Sequence, residues 1–235
     1  MTTSSAENLQ HPMPRHVAIM GAAGGLGKGI IEVFRQAGIA FTAIVRSRPE
    51  RVTDVPAGSR VAVVTSLDDQ EALTDAFRGA DAVISAMGVT AATGDASALQ
   101  SVNMSAIEAS MLAASVDRII ITNTLLSNAP GERPSLSMRF FSWFPGTIGR
   151  GAAEQQAVVN ALGNGSYSRL RWTLVRAGVN ARGKDVRPVA STDWSSKLNS
   201  WSPVSYQAMA RWMLEEAAAN KFVRQSPFVS LGKAG

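Results

Sequence analysis

The stretch Gly21–Gly27, GAAGGLG, decides the fold of this chain because of what stands on either side of it. It follows His16–Met20, a short apolar run typical of a buried strand, and opens a helical pattern over Leu26–Ala37. Glycines here permit a tight turn, a close approach of backbone to a pyrophosphate, and close packing of the helix on the sheet. The helix start then offers unpaired N–H groups to an anion. The sequence therefore predicts a phosphate-binding loop rather than a glycine-rich turn without a ligand.

Beyond this loop, apolar runs continue to alternate with helical patterns. Further strands are predicted at Phe41–Val45, Val61–Val64, Ala82–Ala86, Arg118–Thr122, Leu170–Arg176 and Phe228–Leu231. Further helices are predicted at Asp69–Phe77, Ser97–Ser115, Ala152–Leu162 and Ser205–Ala219, with Gly38 ending the first helix and Asp68 capping the second.

Strands that are almost continuously apolar indicate a parallel sheet covered on both faces. We therefore expect an α/β fold of the doubly wound Rossmann type, with a mostly parallel sheet and helices on both faces. We expect one domain over residues 15–235, preceded by a disordered tail over residues 1–14. Small substrate-binding elements are expected in residues 125–150 and 179–204.

Composition excludes several classes of function. There are no cysteines, so a disulfide framework, a thiolate nucleophile and a thiolate metal site are all excluded. The two histidines, His11 and His16, precede or begin the first strand, which argues against a metal centre or a hydrolase triad. No run reaches the roughly 20 apolar residues of a membrane span. The net charge of +5 is spread along the chain, so we expect a solvated basic surface and no nucleic-acid partner.

The second predicted strand ends at an arginine. Proteins that select NAD usually place Asp or Glu there, about 20 residues after the loop, to hold the ribose hydroxyls. Here the strand end is Arg46, and Arg48 and Arg51 follow. A guanidinium can hold a 2′-phosphate by paired hydrogen bonds, whereas a carboxylate would repel it. We therefore expect NADP(H) as the cofactor, with an ordinary exposed loop arginine as the alternative for Arg46.

Five blocks in their order carry a resemblance to a known family. They are GAAGGLG, the Val45-Arg46 strand end, GADAVISAMG at Gly79–Gly88, IIITNT at Ile119–Thr124 and LRWTLVRAG at Leu170–Gly178. From about His16 to Gly232 the chain resembles the atypical and extended short-chain dehydrogenase/reductases. It is most similar to their NmrA-like and flavin or biliverdin-IXβ reductase-like NAD(P)-binding members.

The resemblance implies where the cofactor would lie. It places the adenine beside the end of the third strand, and the ribose and phosphates along the end of the fourth. The rule that ligands bind beyond the carboxyl ends of parallel strands supports both placements. With the loop and the arginines, the expected cofactor contacts are Gly21, Ala23, Gly24, Gly25, Leu26, Gly27, Arg46, Arg48, Ser66, Leu67, Ala86, Met87, Gly88, Thr122, Ala177, Gly178 and Val179.

The sequence departs from the catalytic pattern of many relatives, which use a Tyr-x-x-x-Lys pair. Its two tyrosines, Tyr167 and Tyr206, have no lysine four residues later. Thr122, Asn123 and Thr124 stand where the family has its fifth-strand Ser or Thr. We therefore expect them to contact the nicotinamide or a substrate carbonyl, with satisfaction of the strand-end backbone as the alternative.

Glu154 lies in the helix where the missing pair would be expected. It could serve as a base in a polar pocket, although an exposed helix carboxylate is the commoner case.

Aromatic residues are concentrated after the fifth strand, in the segment Met138–Gly146. A strand-end loop here would overhang the nicotinamide and could stack a flat or apolar substrate. A plug completing the core and an interface patch are the alternatives. Trp201 could wall the same cleft. The expected substrate contacts are Phe140, Phe141, Trp143, Phe144, Asn180 and Trp194.

The favoured hypothesis is a cytoplasmic NADPH-dependent reductase of a planar or apolar carbonyl, quinone-like or flavin-like small molecule. The resemblance to flavin and biliverdin reductases implies that hydride would pass directly between stacked partners, with a proton drawn from solvent or from a weakly specialised group. A second hypothesis is a non-catalytic NADP(H)-sensing regulator whose aromatic segment binds a protein. A third is an isomerase or epimerase that keeps its cofactor. A homodimer is left open by the sequence.

Overall fold

A central sheet organises the chain in the computed structural model, which describes residues 12–88, 99–133, 136, 140, 143, 145–194, 198–199 and 202–232. In chain order the elements are β1 (His16–Met20), α1 (Gly25–Ala37), β2 (Ala40–Val45), β3 (Arg60–Val63), α2 (Gln70–Phe77), β4 (Ala82–Ser85), α3 (Met104–Ala113), β5 (Arg118–Thr124), α4 (Gly146–Gly163), β6 (Arg171–Ala177), β7 (Val179–Lys184), β8 (Val189–Ser191), β9 (Leu198–Asn199), α5 (Tyr206–Ala219) and β10 (Phe228–Gly232). Short 3₁₀ turns occur at Pro49–Arg51 and Ser101–Asn103.

The strand order is β3-β2-β1-β4-β5-β6-β10-β8, and β9 pairs with β10. Strands β1 to β6 and β10 run parallel, whereas β8 and β9 pair antiparallel with β10. Val17 of β1 lies opposite Phe41 of β2 on one side and Ala82 of β4 on the other. Strands β2 and β3 thus extend the sheet on one side of β1, and β4, β5 and β6 extend it on the other side. The strand order reverses between β1 and β4. The doubly wound Rossmann fold is confirmed.

Both faces of the sheet are buried, which explains why its strands read as unbroken apolar runs. Val17 and Ile19 point toward α1 and α5, where they join a core that includes Phe34. Ala18 and Met20 point to the opposite face, into a core formed with α2, α3 and α4. Alternation along a single strand therefore supplies two hydrophobic layers.

The structure corrects several predicted boundaries. Asp69, not Asp68, caps α2, because its Oδ1 accepts the N–H of Ala72 at 3.0 Å. Asp68 accepts a hydrogen bond from the Ser66 hydroxyl instead. Helix α4 begins at Gly146, earlier than predicted. The sequence did not indicate this start, because it is rich in glycine there and the helix has no side-chain cap.

The predicted helix Ser97–Ser115 is also shorter. In the described part it starts as a 3₁₀ turn and ends at Ala113, before Ser115 takes a left-handed φ of 61°. Strands β7, β8 and β9 were not predicted, because they are short and mostly polar (VNARGK, VAS and LN). Gly38 does end α1 in the left-handed conformation, with a φ of 68°.

A buried ion pair ties the amino ends of the strands to α5. The guanidinium of Arg118, at the start of β5, contacts Oε1 of Glu216 at 2.8 Å, and the two side chains are 1% and 3% exposed. Glu216 also accepts the N–H of Phe222 and the hydroxyl of Thr173. Burial lowers the pKa of Arg118 to about 10, with Glu216 opposing that shift, so the arginine is cationic at neutral pH. The pair links β5, β6 and the turn before β10.

Replacement of Glu216 with Gln should lower the free energy of unfolding by about 3–5 kcal/mol, because it leaves the buried Arg118 without its counter-charge. Chemical denaturation would measure the change. The adjacent Glu215 provides a matched control, since it pairs with Arg187 on the surface, with side chains 45% and 80% exposed. Glu215→Gln should cost less than about 1 kcal/mol. Equal effects of the two substitutions would contradict the structural role of the buried pair.

Candidate cofactor-binding site

The glycine loop between β1 and α1 is closed so tightly that side chains are excluded. Gly21 has a φ of 77°, and a Cβ there would lie 2.9 Å from the carbonyl oxygen of Ala86 at the end of β4. A Cβ at Gly27 would lie 2.4 Å from the carbonyl oxygen of Gly21. The turn is held by a hydrogen bond of 3.0 Å from the N–H of Gly24 to the Gly21 carbonyl. Glycine is therefore required at both positions.

This loop leaves hydrogen-bond donors free at the start of α1. The first bond of the helix runs from Lys28 N–H to the Gly24 carbonyl at 3.0 Å, and no side chain caps the helix. Within the described part of the chain, the N–H groups of Gly25, Leu26 and Gly27 find no acceptor. These donors and the positive end of the helix dipole lie at the reversal point between β1 and β4. A dinucleotide pyrophosphate fits this cradle by charge, donors and access.

A cleft opens beside the cradle, beyond the carboxyl ends of β4 and β5. Its lining combines apolar and polar side chains from four segments, namely Met87, Gly88, Leu99, Gln100, Ile121, Thr122, Asn123, Glu154, Gln155 and Val158.

The polar residues at the end of β5 are held by hydrogen bonds to the backbone. The Thr122 hydroxyl donates to the Ser85 carbonyl at 3.0 Å, and Asn123 Nδ2 donates to the Gln155 carbonyl at 3.1 Å. Thr124 N–H donates to both Asn123 Oδ1 and Gln155 Oε1, at 2.7 and 3.0 Å. Thr122 and Asn123 line the cleft. The geometry therefore includes the expected strand-end bonding while leaving both residues beside the space a ligand would enter.

Glu154 is half-buried and engaged, rather than exposed on a helix surface. Its carboxylate accepts the N–H of Ser101 at 2.9 Å and also the Ser101 hydroxyl. It thereby fastens α4 to the 3₁₀ turn that leads into α3. Glu154 therefore holds one wall of the cleft in place.

Gln100 was missed by sequence reasoning. It is buried, its Oε1 accepts the Ser85 hydroxyl at 2.5 Å, and its Nε2 has no hydrogen-bond partner of ordinary geometry in the described chain. No sequence motif marks it, because a lone glutamine has no distinctive spacing. Gln155 belongs to a run of polar residues that indicated a helix, but the run did not indicate that the Gln155 side chain would face the cleft.

The two tyrosines lie away from the cleft lining. Tyr167 is fully buried in the core layer of α2, α3 and α4, and burial raises the pKa of its phenol. Tyr206, the first residue of α5, lies against α1. Tyr167 nevertheless contacts Gln100, which does line the cleft.

The other predicted cofactor residues surround the same edge of the sheet. Arg46 directly follows β2 and is exposed, as is Arg48, which has a left-handed φ of 59°. Ser66 and the buried Leu67 follow β3. The remaining predicted contacts lie at the ends of β4 and β6, at Ala86, Met87 and Gly88, and at Ala177, Gly178 and Val179.

Of the predicted substrate residues, Phe140 and Trp143 are 58% and 88% exposed, so neither plugs the core. Asn180 is exposed, and its Oδ1 accepts the N–H of Arg182 at 2.8 Å. Trp194 packs edge-to-face on Phe228, with ring centroids 5.1 Å apart. The remaining predictions, Phe141, Phe144 and Trp201, lie outside the described residues.

Arg176 connects the loops around this edge of the sheet by hydrogen bonds. Its buried guanidinium donates to the carbonyl oxygens of Ser226, Ser127 and Thr192 and lies 3.6 Å from the centroid of the Phe228 ring. Burial lowers its pKa. A single side chain thus connects the segments after β5, β8 and before β10.

Comparison with known proteins agrees with this geometry. The sequence model of the NAD(P)H-binding family matches residues 21–226. The chain belongs to the NAD(P)H-binding family. No curated protein matches it in sequence. Within the described residues, no helix is both long and apolar enough to cross a bilayer.

Solved structures share the fold at low sequence identity. A proposed NADH-flavin reductase from Streptococcus pneumoniae TIGR4 is 23% identical with a TM-score of 0.69, covering 94% of this chain and 100% of that one. An anaerobillin reductase from Escherichia coli O157:H7 is 15% identical with a TM-score of 0.64, covering 94% and 98%. A short-chain dehydrogenase/reductase from Veillonella parvula DSM 2008, solved with NADP, is 17% identical with a TM-score of 0.64, covering 93% and 95%. The resemblance stated from the sequence is confirmed.

Replacement of Gly27 with Ala should lower the affinities for NADPH and NADH alike, by at least about a hundredfold. The added methyl group would displace the loop and remove several hydrogen bonds to the cofactor, of roughly 1 kcal/mol each. Fluorescence titration would measure both affinities. Gly151→Ala is the control, because a Cβ at that position in α4 would meet nothing within 4 Å. Wild-type affinity in Gly27→Ala would remove the loop from the cofactor site.

Proposed function

We propose that this protein is an NADPH-dependent reductase of a planar or apolar acceptor, such as a carbonyl compound, a quinone or a flavin. The observation that carries the proposal is the adjacency of the glycine cradle and the cleft at the strand-order reversal. A dinucleotide held by its pyrophosphate at α1 would extend over the ends of β4 and β5. The names of two structural neighbours, a proposed flavin reductase and an anaerobillin reductase, describe reductases of planar molecules.

The choice of NADPH over NADH rests on charge at the end of β2. Arg46 and Arg48 stand at the strand end where a selective carboxylate would otherwise meet the ribose hydroxyls. Both are exposed and can reach a ligand from solvent. A 2′-phosphate is the group that this pair of cations would favour.

Replacement of Arg46 with Glu should weaken NADPH binding by more than about tenfold relative to NADH, because a carboxylate would face the 2′-phosphate. Isothermal titration with both nucleotides would measure the ratio. Arg15→Glu makes the same charge change on an exposed residue before β1, at the opposite end of the sheet. It should leave the ratio unchanged. An equal loss for both nucleotides in Arg46→Glu, or no loss, would exclude Arg46 from phosphate recognition.

The bound cofactor would supply a hydride, and the residues of the cleft would position its acceptor. Met87, Ile121 and Val158 offer apolar surface to a flat molecule. Gln100 lines the same space, with its side-chain amide against the buried phenol of Tyr167. Positioning alone can supply much of the acceleration when hydride passes between stacked partners. The proton needed to complete reduction would come from solvent through the open mouth of the cleft.

Access to the cleft favours a reductase over a sensor. A sensor could fill the nicotinamide side with its aromatic segment, whereas a reductase must leave it open. Among the described residues, neither Phe140 nor Trp143 lines the cleft. Their exposure supports a role as a lid or an outer wall for a substrate, and a protein partner for this segment is the alternative.

Purified protein should bind NADPH and oxidise it in the presence of at least one planar acceptor, in a spectrophotometric screen of quinones, flavins and aromatic ketones. Trp143→Ala should raise the KM for that acceptor by about three- to tenfold, which corresponds to the loss of one aromatic contact. The Kd for NADPH should stay constant. Met13→Ala, an exposed apolar change before β1, is the control. Tight NADPH binding without turnover of any acceptor would favour the sensor.

A further inference from the structure

Helix α1 carries a groove made by two glycines on one face. Gly25 and Gly29 are four residues apart, and side chains at such positions lie one above the other. The side chain of Tyr206 fills this groove: a Cβ at Gly29 would lie 2.6 Å from Tyr206 Cβ, and a Cβ at Gly25 would lie 2.8 Å from the Tyr206 hydroxyl. The phenol ring therefore runs along α1 from Gly29 toward the start of the helix.

The backbone of the neighbouring segment fixes the tyrosine in that position. Ser205 caps α5 by accepting the N–H of Ala208 at 3.0 Å, and its hydroxyl donates to Asp185 at 2.9 Å. One residue earlier, Val204 N–H donates to the Gly178 carbonyl at 2.9 Å. Tyr206 thus enters the groove from a fully bonded turn, and its ring has little freedom to leave.

The hydroxyl reaches the same place as the free N–H groups of the glycine loop. The Cα–Cβ direction in a helix tilts toward its N-terminus, so a group beside the missing Cβ of Gly25 lies on the side of the helix start. The half-buried Tyr206 makes no hydrogen bond to any described residue. A polar group held in a glycine groove, without a protein partner, is available to a ligand.

We propose that the Tyr206 hydroxyl donates a hydrogen bond to the cofactor pyrophosphate, next to the N–H groups of Gly25, Leu26 and Gly27. This inference rests on the proposed dinucleotide site. It makes α5, from the far end of the chain, a part of phosphate recognition. Because the pyrophosphate is common to NADPH and NADH, Tyr206 would add affinity for both nucleotides, while Arg46 would choose between them.

The test compares Tyr206→Phe with Tyr167→Phe, which removes the other phenol hydroxyl of the chain from a buried site in the opposite core layer. Affinities for NADPH, NADH and 2′-AMP are measured by titration. Tyr206→Phe should lower the affinities for NADPH and NADH by the same factor, roughly tenfold, which corresponds to the loss of one hydrogen bond to a charged group. Its affinity for 2′-AMP, which lacks a pyrophosphate, should not change. Tyr167→Phe should change none of the three.

A second measurement needs no variant. With tyrosine labelled by ¹³C at Cζ, the wild-type protein gives two signals, one for each tyrosine. Inorganic pyrophosphate and NADH should each shift the Tyr206 signal, while the buried Tyr167 signal serves as the internal reference.

Unchanged affinities together with an unmoved Tyr206 signal would show that the ring only packs in the groove, and would overturn the inference. A loss confined to NADPH and 2′-AMP would place the hydroxyl at the 2′-phosphate and would overturn it too. Failure of the wild-type protein to bind any dinucleotide would overturn the proposed function itself, and this inference with it.

Discussion

The absence of a side chain at Gly27 is the constraint on which the rest of the molecule depends. With its missing Cβ only 2.4 Å from the Gly21 carbonyl, α1 can start directly at the end of β1 and lie close against the sheet. That placement brings the free N–H groups of the helix to the point where the strand order reverses. It also turns the Gly25–Gly29 groove toward α5, so that the last helix packs directly on the first. Cofactor site and helix packing are therefore consequences of one close backbone approach.

Two buried arginines hold the sheet at its opposite ends by different means. At the amino end, Arg118 is neutralised by the carboxylate of Glu216, which gives a rigid link between β5 and α5. At the carboxyl end, Arg176 has three carbonyl oxygens and the face of Phe228 as partners. Carbonyl dipoles and an aromatic face can solvate a cation without fixing a single partner. The buried ion pair of Arg118 thus stabilises the end of the sheet away from the site. At the other end, the hydrogen bonds of Arg176 connect the loops around the site, and their acceptors are all backbone carbonyl groups.

The sequence marks the glycine loop more clearly than it marks the cleft, for a physical reason. Phosphate binding depends on backbone N–H groups, and a run of glycines between a strand and a helix is the local signature of such a backbone. The cleft instead depends on contacts between distant segments, such as Glu154 with Ser101 and Gln100 with Ser85, which lie 53 and 15 residues apart. The prediction of Asp68 as the cap of α2 is wrong by one residue, because the adjacent Asp69 offers the same chemistry and performs that role. Strands β7 to β9 depend on pairing partners that their polar sequences do not reveal.

The arrangement of the cleft bears on how reduction could proceed without a tyrosine acid. Glu154, the carboxylate nearest to the expected position of that acid, accepts two hydrogen bonds from Ser101, and neither tyrosine is among the described residues that line the cleft. Acceptors whose reduced form is stabilised by delocalisation, such as quinones and flavins, need little help with protonation in the hydride step, whereas an unactivated ketone develops a basic alkoxide that requires a proton donor. Under the proposed function, the described part of the cleft would therefore suit delocalised acceptors better than simple carbonyl compounds.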